Sequence, residues 1–296
     1  MVFLVLLAGI GLLFLVPADE PEPLARLNTP TVEARLTPPL TAEDLEGKLR
    51  QVASTHAGSY GAVVYDPASD RSVSLDADRT FTAASLAKLP ALITLYRAAA
   101  RGDLSLDEKI TMLPSDVTAY GSGVLSAHPP GETMTLRKCA EYLIKHSDNT
   151  AWVMLDRRLG KEEIKTELTA LGATDTDYEA LTTTPNDVLL MLRAIADPAF
   201  TTPELSNEML DTMTDTAYED RLPQPLPEGT RVAHKIGSYE DAFSDAGIVY
   251  PEDDEGDNYF IVVMSKHTTE DDARSAIRTM SLATYRTLAG TPQTNR

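Results

Sequence analysis

Apolar positions change their spacing three times along the chain, and each change marks a different kind of element. Thr41 followed by Asp44 is a helix-start pattern, and Leu45, Leu49 and Val52 then recur at helical intervals. Past Gly58 the pattern shortens to two strand-like runs, GAVVY at 61–65 and RSVSL at 71–75, joined by the turn-forming Asp66-Pro67. From Ala83 to about Met213 the spacing is helical almost throughout. Leu136, Cys139, Ala140, Leu143 and Ile144 form one such stripe, and Thr184-Pro185 and Thr202-Pro203 each supply an N-cap with proline in the first helical position. Strand patterns return at RVAHKIGS (231–238), AGIVY (246–250) and YFIVVMSK (259–266), and Thr269 with Asp272 opens a closing helix. Strands at both ends with helices between them predict an α/β (α+β) fold. An antiparallel sheet is built from the two chain ends and flanked by helices, with an all-helical lobe at about 83–215 inserted into an α/β lobe of 41–82 plus 216–290. A site is expected where the lobes meet.

The first forty residues do not belong to this pattern. An unbroken apolar run, VFLVLLAGIGLLFLV, fills positions 2–16, so 1–17 reads as a signal peptide or signal anchor. Residues 18–40, rich in proline and without periodicity, read as an extended linker. The expectation is an extracytoplasmic protein, secreted or held at the membrane by its leader.

Charge narrows the function classes. With 45 Asp and Glu against 26 Lys and Arg the net charge is -19, which repels polyanions, and no basic stripe argues for nucleic acid. The single Cys139 excludes an internal disulfide and any multi-cysteine zinc site, and its place on an apolar stripe makes it a core residue. His56, His128, His146, His234 and His267 show no metal-ligand spacing, so neither metal nor cofactor is expected. The acidic stretch PEDDEGDN between the last two strands fits no calcium loop and reads as a solvated hairpin tip.

Three short motifs carry candidate chemistry. In the first, Ser85 and Lys88 lie three apart on a predicted apolar helix, so hydroxyl and amine can meet on one face. Burial disfavours the ammonium, and an uncharged lysine can take the serine proton, while the backbone N–H of Ser85 near a helix start can face a developing oxyanion. Pro90 requires that this helix start close to Ser85. The second motif, Ser147-Asp148-Asn149, follows a capped helix and opens another. There Ser147 suits a proton relay, Asn149 suits an amide partner, and Asp148 suits a structural hydrogen-bonding role. In the third, Lys235 on a strand can hold a substrate carboxylate, Gly237 leaves room for close backbone approach, and the N–H of Ser238 can pair with that of Ser85. His234, one residue before Lys235, should face the other way. Each motif alone is ordinary: a chance pair on a helix, a turn, a solvated lysine.

Taken together and in this order, the motifs resemble those of class A β-lactamases and penicillin-binding proteins. The resemblance extends through ASLAKLPALITLYRAAARGDLSLDEKI, GSGVL, MTLRKCAEYLIKHSDNTAWVMLDRRLG, TTTP and VAHKIGSYEDAFSDAGIVY, covering most of 41–290. It implies an acyl-enzyme formed at Ser85 with a β-lactam or a D-Ala-D-Ala-like cell-wall peptide, in a protein expected to be monomeric. Two departures modify this. The family carries, before TTTP, a loop whose glutamate and asparagine position the water that breaks the acyl-enzyme, whereas here only ATDTDYEAL separates Gly172 from Thr182. Glu179 is the nearest candidate base, with Asp175 and Asp177 behind it, and a solvated loop residue is its plain alternative; without a base, deacylation is expected to be slow. Ile236 also stands where the family has a threonine or serine that contacts the substrate carboxylate. Arg221 resembles an arginine that binds this carboxylate in some members, or is a surface charge. The competing readings are a D,D-peptidase acting on cell-wall peptide and a surface-tethered binding or sensor protein that has lost turnover.

Overall fold

The computed structural model describes residues 42–251 and 258–289. The expected leader, linker and Thr41, and most of the acidic turn, lie outside the described residues. Five strands form one wholly antiparallel sheet in the order β2-β1-β9-β8-β7. They are β1 (Ser59–Asp66), β2 (Arg71–Leu75), β7 (Arg231–Tyr239), β8 (Ala242–Tyr250) and β9 (Tyr259–Lys266). The last strand pairs with the first, Val63 opposite Val262, so the two chain ends meet in mid-sheet and β7 is left as an edge.

Both faces of the sheet are covered, which explains why its strands are nearly continuous apolar runs. Ala62, Val64, Ile261 and Val263 pack on one side against Leu45, Leu49 and Val52 of α1 (Ala42–Thr55) and Ile277 and Met280 of α8 (Glu270–Leu288). Their alternating neighbours Val63, Val262 and Met264 face the other way, into the larger core shared with the intervening helices.

Those helices are α2 (Leu89–Arg101), α3 (Leu136–Lys145), α4 (Asn149–Leu159), α5 (Lys161–Leu171), α6 (Pro185–Ala196) and α7 (Pro203–Thr212). Helix α2 is buried along most of its length and packs against α4, α5, α6 and α7. The threonine caps act as the sequence indicates: Thr135, Thr184, Thr202 and Thr269 each accept a backbone N–H from the first turn of their helix.

Two small strand pairs lie within or at the border of the region read as helical. β4 (Lys109–Thr111) pairs with β5 (Thr133–Thr135), and β3 (Phe81–Thr82) pairs with β6 (Thr182–Thr183). Segments of two or three residues carry no readable period, so they escape sequence patterning. The β3–β6 pair ties the strand before Ser85 to the end of the short 173–181 connection, and Ala83 N–H donates to the carbonyl of Leu181 at 2.8 Å.

Asp148 joins two parts of this framework. Its carboxylate caps α4 through Ala151 N–H (2.9 Å) and accepts the N–H groups of Val124 (2.6 Å) and Leu125 (2.8 Å) from the loop alongside. Gly123 lies so close to this carboxylate, with φ +125°, that any side chain there would displace it. Asp148→Ala should therefore lower unfolding free energy in urea by about 3 kcal/mol, one cap plus the orphaned loop donors, and Asp148→Asn by less.

Candidate active site

Ser85 does not sit on an α-helix. Residues Ala84–Lys88 form a 3₁₀ turn and α2 starts only at Leu89, which places Pro90 in its first turn, where a missing N–H is harmless. The tighter turn serves the chemistry better than the expected one, because residues three apart eclipse each other in a 3₁₀ helix. Lys88 Nζ consequently lies 2.8 Å from Ser85 Oγ. Ala84 adopts φ +47°, a left-handed conformation unusual for alanine, immediately before the partly exposed serine.

Lys88 is completely buried. Its Nζ also reaches the Ser147 carbonyl (2.8 Å), Asn149 Oδ1 (2.7 Å) and Ser147 Oγ (3.2 Å). A carbonyl and an amide oxygen can only accept, so they take two N–H bonds, all that a neutral amine has. The remaining lone pair is then available to the Ser85 hydroxyl. Burial lowers the Lys88 pKa from the ordinary 10.5 to about 7, against the opposing pull of Asp148.

The second motif sits where the tight turn between α3 and α4 puts it, with Ser147 at φ +52°. Ser147 Oγ lies 2.9 Å from Lys235 Nζ, so it stands between two lysines. Asn149 turns inward more than expected. Besides holding Lys88 it donates from Nδ2 to the Tyr120 carbonyl at 3.3 Å, which leaves one amide hydrogen for anything else.

Lys235 is buried rather than solvated, and burial, reinforced by Lys88 and opposed by Asp245, pushes its pKa well below the usual lysine value. Gly237 has no room for a side chain. An added Cβ would come within 2.5 Å of Ser244 Oγ on β8 and 2.9 Å of the Ala83 carbonyl, so the space is taken by β8 and by the turn carrying Ser85, which packs directly on β7. Ser238 lies just beyond, exposed on the edge strand, with Ile236 buried two residues before it.

Arg221 is not a surface charge. It is 1% exposed, donates from Nη1 to the carbonyls of Gly237 and Ser244 (both 2.7 Å), and from Nη2 to Ser238 Oγ at 2.6 Å. It braces β7 and saturates one acceptor position of the Ser238 hydroxyl. Glu179, by contrast, faces solvent: its side chain is 61% exposed and pairs with Lys165 at 2.6 Å, which lowers its pKa. Asp177 accepts the N–H groups of Glu179 and Ala180 and so shapes the turn.

Sequence reasoning missed Trp152, Tyr178 and Ser122. Lys88 Nζ lies over the Trp152 ring, 5.3 Å from its centroid; Trp152 Nε1 donates to Tyr178 Oη at 2.6 Å; and Ser122 Oγ donates to the Ser147 carbonyl at 2.7 Å. The only available signal was that Trp152, the chain's single tryptophan, lies four residues after Asp148, on the same face of α4.

A serine with a buried lysine of lowered pKa beside it, a second serine between two lysines and an edge strand alongside are the machinery of a serine hydrolase. The chain belongs to the β-lactamase enzyme family, whose sequence profile matches residues 44–288. It is similar to a β-lactamase of Bacteroides uniformis, at 27% identity over 62% of this chain and 70% of that one. It is 31% identical to a β-lactamase of Streptomyces fradiae over 118 residues, 39% of each chain. Among solved structures, PBP-A superposes with a TM-score of 0.78 at 27% identity, covering 86% of this chain and 99% of that one. A β-lactamase from Sphaerobacter thermophilus shares the fold, with a TM-score of 0.76 at 24% identity over 84% of this chain and 97% of its own.

His234 faces away from Lys235, as strand alternation requires, and meets the buried Asp245 (2.9 Å) and the exposed Glu219 (3.2 Å). Burial alone would disfavour its charge, but the two carboxylates outweigh it and raise its pKa to about 9. A raised folded-state pKa means stabilisation fully present below the unfolded value near 6.5 and lost as pH rises through about 9. The stability difference between wild type and His234→Gln should therefore be largest near pH 6 and shrink by pH 10, as measured by denaturation at each pH.

Proposed function

We propose that this protein is a penicillin-binding serine hydrolase that forms an acyl-enzyme at Ser85 with β-lactams and D-Ala-D-Ala-like peptides and releases it slowly. The observation that carries this reading is the 2.8 Å approach of a buried Lys88 amine to Ser85 Oγ, with its other hydrogens engaged by obligate acceptors. In the acylation step Lys88 accepts the Ser85 proton as Oγ attacks the substrate carbonyl. The N–H groups of Ser85 and Ser238 face the oxyanion. As the C–N bond breaks, Ser147 gives its proton to the leaving nitrogen and is reprotonated from the Lys88 ammonium, 3.2 Å away. Lys235 and the Ser238 hydroxyl, braced by Arg221, receive the substrate carboxylate. With Ile236 offering no hydroxyl, one hydrogen bond to that carboxylate is absent, a loss of about 1.5–3 kcal/mol.

Slow deacylation is favoured over efficient β-lactam turnover because Glu179, the nearest acidic candidate in the connection, is committed to Lys165 at the surface. Support for the ligand class comes from PBP-A: this chain is similar, at 27% identity and a TM-score of 0.77, to a mutant of that protein solved as an acyl-enzyme complex with penicillin G. The apolar run at 2–16 supports placing the catalytic domain outside the cytoplasm. Among the described residues no helix is long and apolar enough to cross a membrane.

Intact-mass measurement after incubation with penicillin G should show a stoichiometric adduct that persists over many minutes, and none with Ser85→Ala. Release of product within seconds would replace this reading with an efficient β-lactamase, and absence of any adduct or peptide cleavage would leave only a binding role. The acylation rate should rise with pH through a midpoint at about 7 and then level off, following the neutral fraction of Lys88. Glu179→Gln should leave the adduct lifetime unchanged.

A further inference from the structure

The short connection at 173–181 sends an aromatic side chain inward, against the tryptophan that lies beneath Lys88. Tyr178 is 3% exposed. Its hydroxyl accepts the Trp152 indole N–H at 2.6 Å and lies 2.6 Å from Asp156 Oδ1. The directions follow from the chemistry, since an indole N–H only donates and a carboxylate oxygen only accepts, leaving the tyrosine proton for Asp156. Trp152 and Asp156 are one turn apart on α4, so a single helix face and one loop residue fix the indole plane. The two rings meet nearly edge to face, with centroids 6.2 Å apart and an interplanar angle of 76°. The Trp152 ring is thereby held with Lys88 Nζ above it, 5.3 Å from its centroid.

We propose that Trp152, locked by Tyr178 and Asp156, is a positioning residue that stabilises the ammonium of Lys88 formed when Ser85 gives up its proton. The inference rests on Lys88 being the base, as proposed above. The groups around Nζ show why an aromatic face is needed. Ser85, Ser147 and Asn149 supply the hydrogen-bonding atoms and already occupy the amine. Of the charged groups, Asp148 at the start of α4 favours the ammonium, while Lys235 on β7 repels it. Burial opposes it as well. The indole quadrupole adds attraction without a further hydrogen bond, and such an attraction strengthens when the cation is desolvated. Asp156 reinforces it by polarising Tyr178, which in turn draws on the indole N–H.

The test is the titration of Lys88 in the substrate-free full chain, followed through its side-chain resonances in protein labelled with ¹³C and ¹⁵N in lysine, together with the pH profile of acylation by penicillin G. Trp152→Leu, which keeps an apolar filler but removes the ring, should lower both midpoints by about 1 pH unit. Trp152→Phe keeps a π face and should shift them less, and Tyr178→Phe, which leaves the ring but frees it, should fall between wild type and Trp152→Leu. An unchanged or raised midpoint in Trp152→Leu would overturn the proposal, as would equal shifts in Trp152→Leu and Trp152→Phe. If penicillin G never acylates the wild type, the functional reading fails while the lysine resonances still decide this inference. Should Trp152→Leu not fold, Trp152→Phe and Tyr178→Phe carry the comparison, and wild-type midpoints in both would count against it.

Discussion

The amine of Lys88 has been taken entirely out of water, and the rest of the site follows from that. A charged group in such a place must be neutralised or surrounded. Here it is surrounded by oxygens arranged so that the uncharged form is satisfied with one lone pair to spare. Ser147 and Asn149 are where they are because the turn between α3 and α4 brings a carbonyl, a hydroxyl and an amide to one point. Asp148 holds that turn by capping α4 and pinning the 122–125 loop. Lys235 adds a second buried amine on the far side of Ser147, and each lysine makes the other harder to charge.

This arrangement is assembled at a junction rather than within one element. The nucleophile's turn comes from the start of the helical region, the relay serine from between two of its helices, and the second lysine from the edge strand. Three residues at the junction, Ala84, Ser147 and Leu181, hold left-handed backbone that only glycine adopts without cost. Such strain persists where the surroundings over-determine it. The β3–β6 pair, the Ala83–Leu181 bond and the packing of Gly237 against Ala83 supply that constraint. The charge distribution is equally local. A chain of net charge -19 buries the basic side chains of Lys88, Lys235 and Arg221 around one edge strand, while its surface repels polyanions.

The connection at 173–181 shows how few residues separate two outcomes. Glu179 turns to solvent and to Lys165, while its neighbour Tyr178 turns inward to Trp152. On the reading proposed here, this segment supplies no base for the second half-reaction and instead supports the lysine of the first. The protein would then be organised for forming the ester rather than for breaking it.

Periodicity alone determined a good deal. Short apolar runs bounded by turn residues specified the sheet strands, threonine-proline caps specified helix starts, and three short motifs pointed, through a family resemblance, to the residues that meet. All of these depend on local sterics and on burial, which leave their trace within a few residues. Only the tertiary structure decided that Ser85 and Lys88 lie on a 3₁₀ turn, that Arg221 is buried behind β7, that Gly237 makes room for Ala83, and that Glu179 is spent on Lys165. It also brought Trp152 beneath Lys88. Each of these depends on which distant segment packs alongside, and the local pattern of a lysine, an arginine or a glutamate is the same whether its partner is water or another part of the chain.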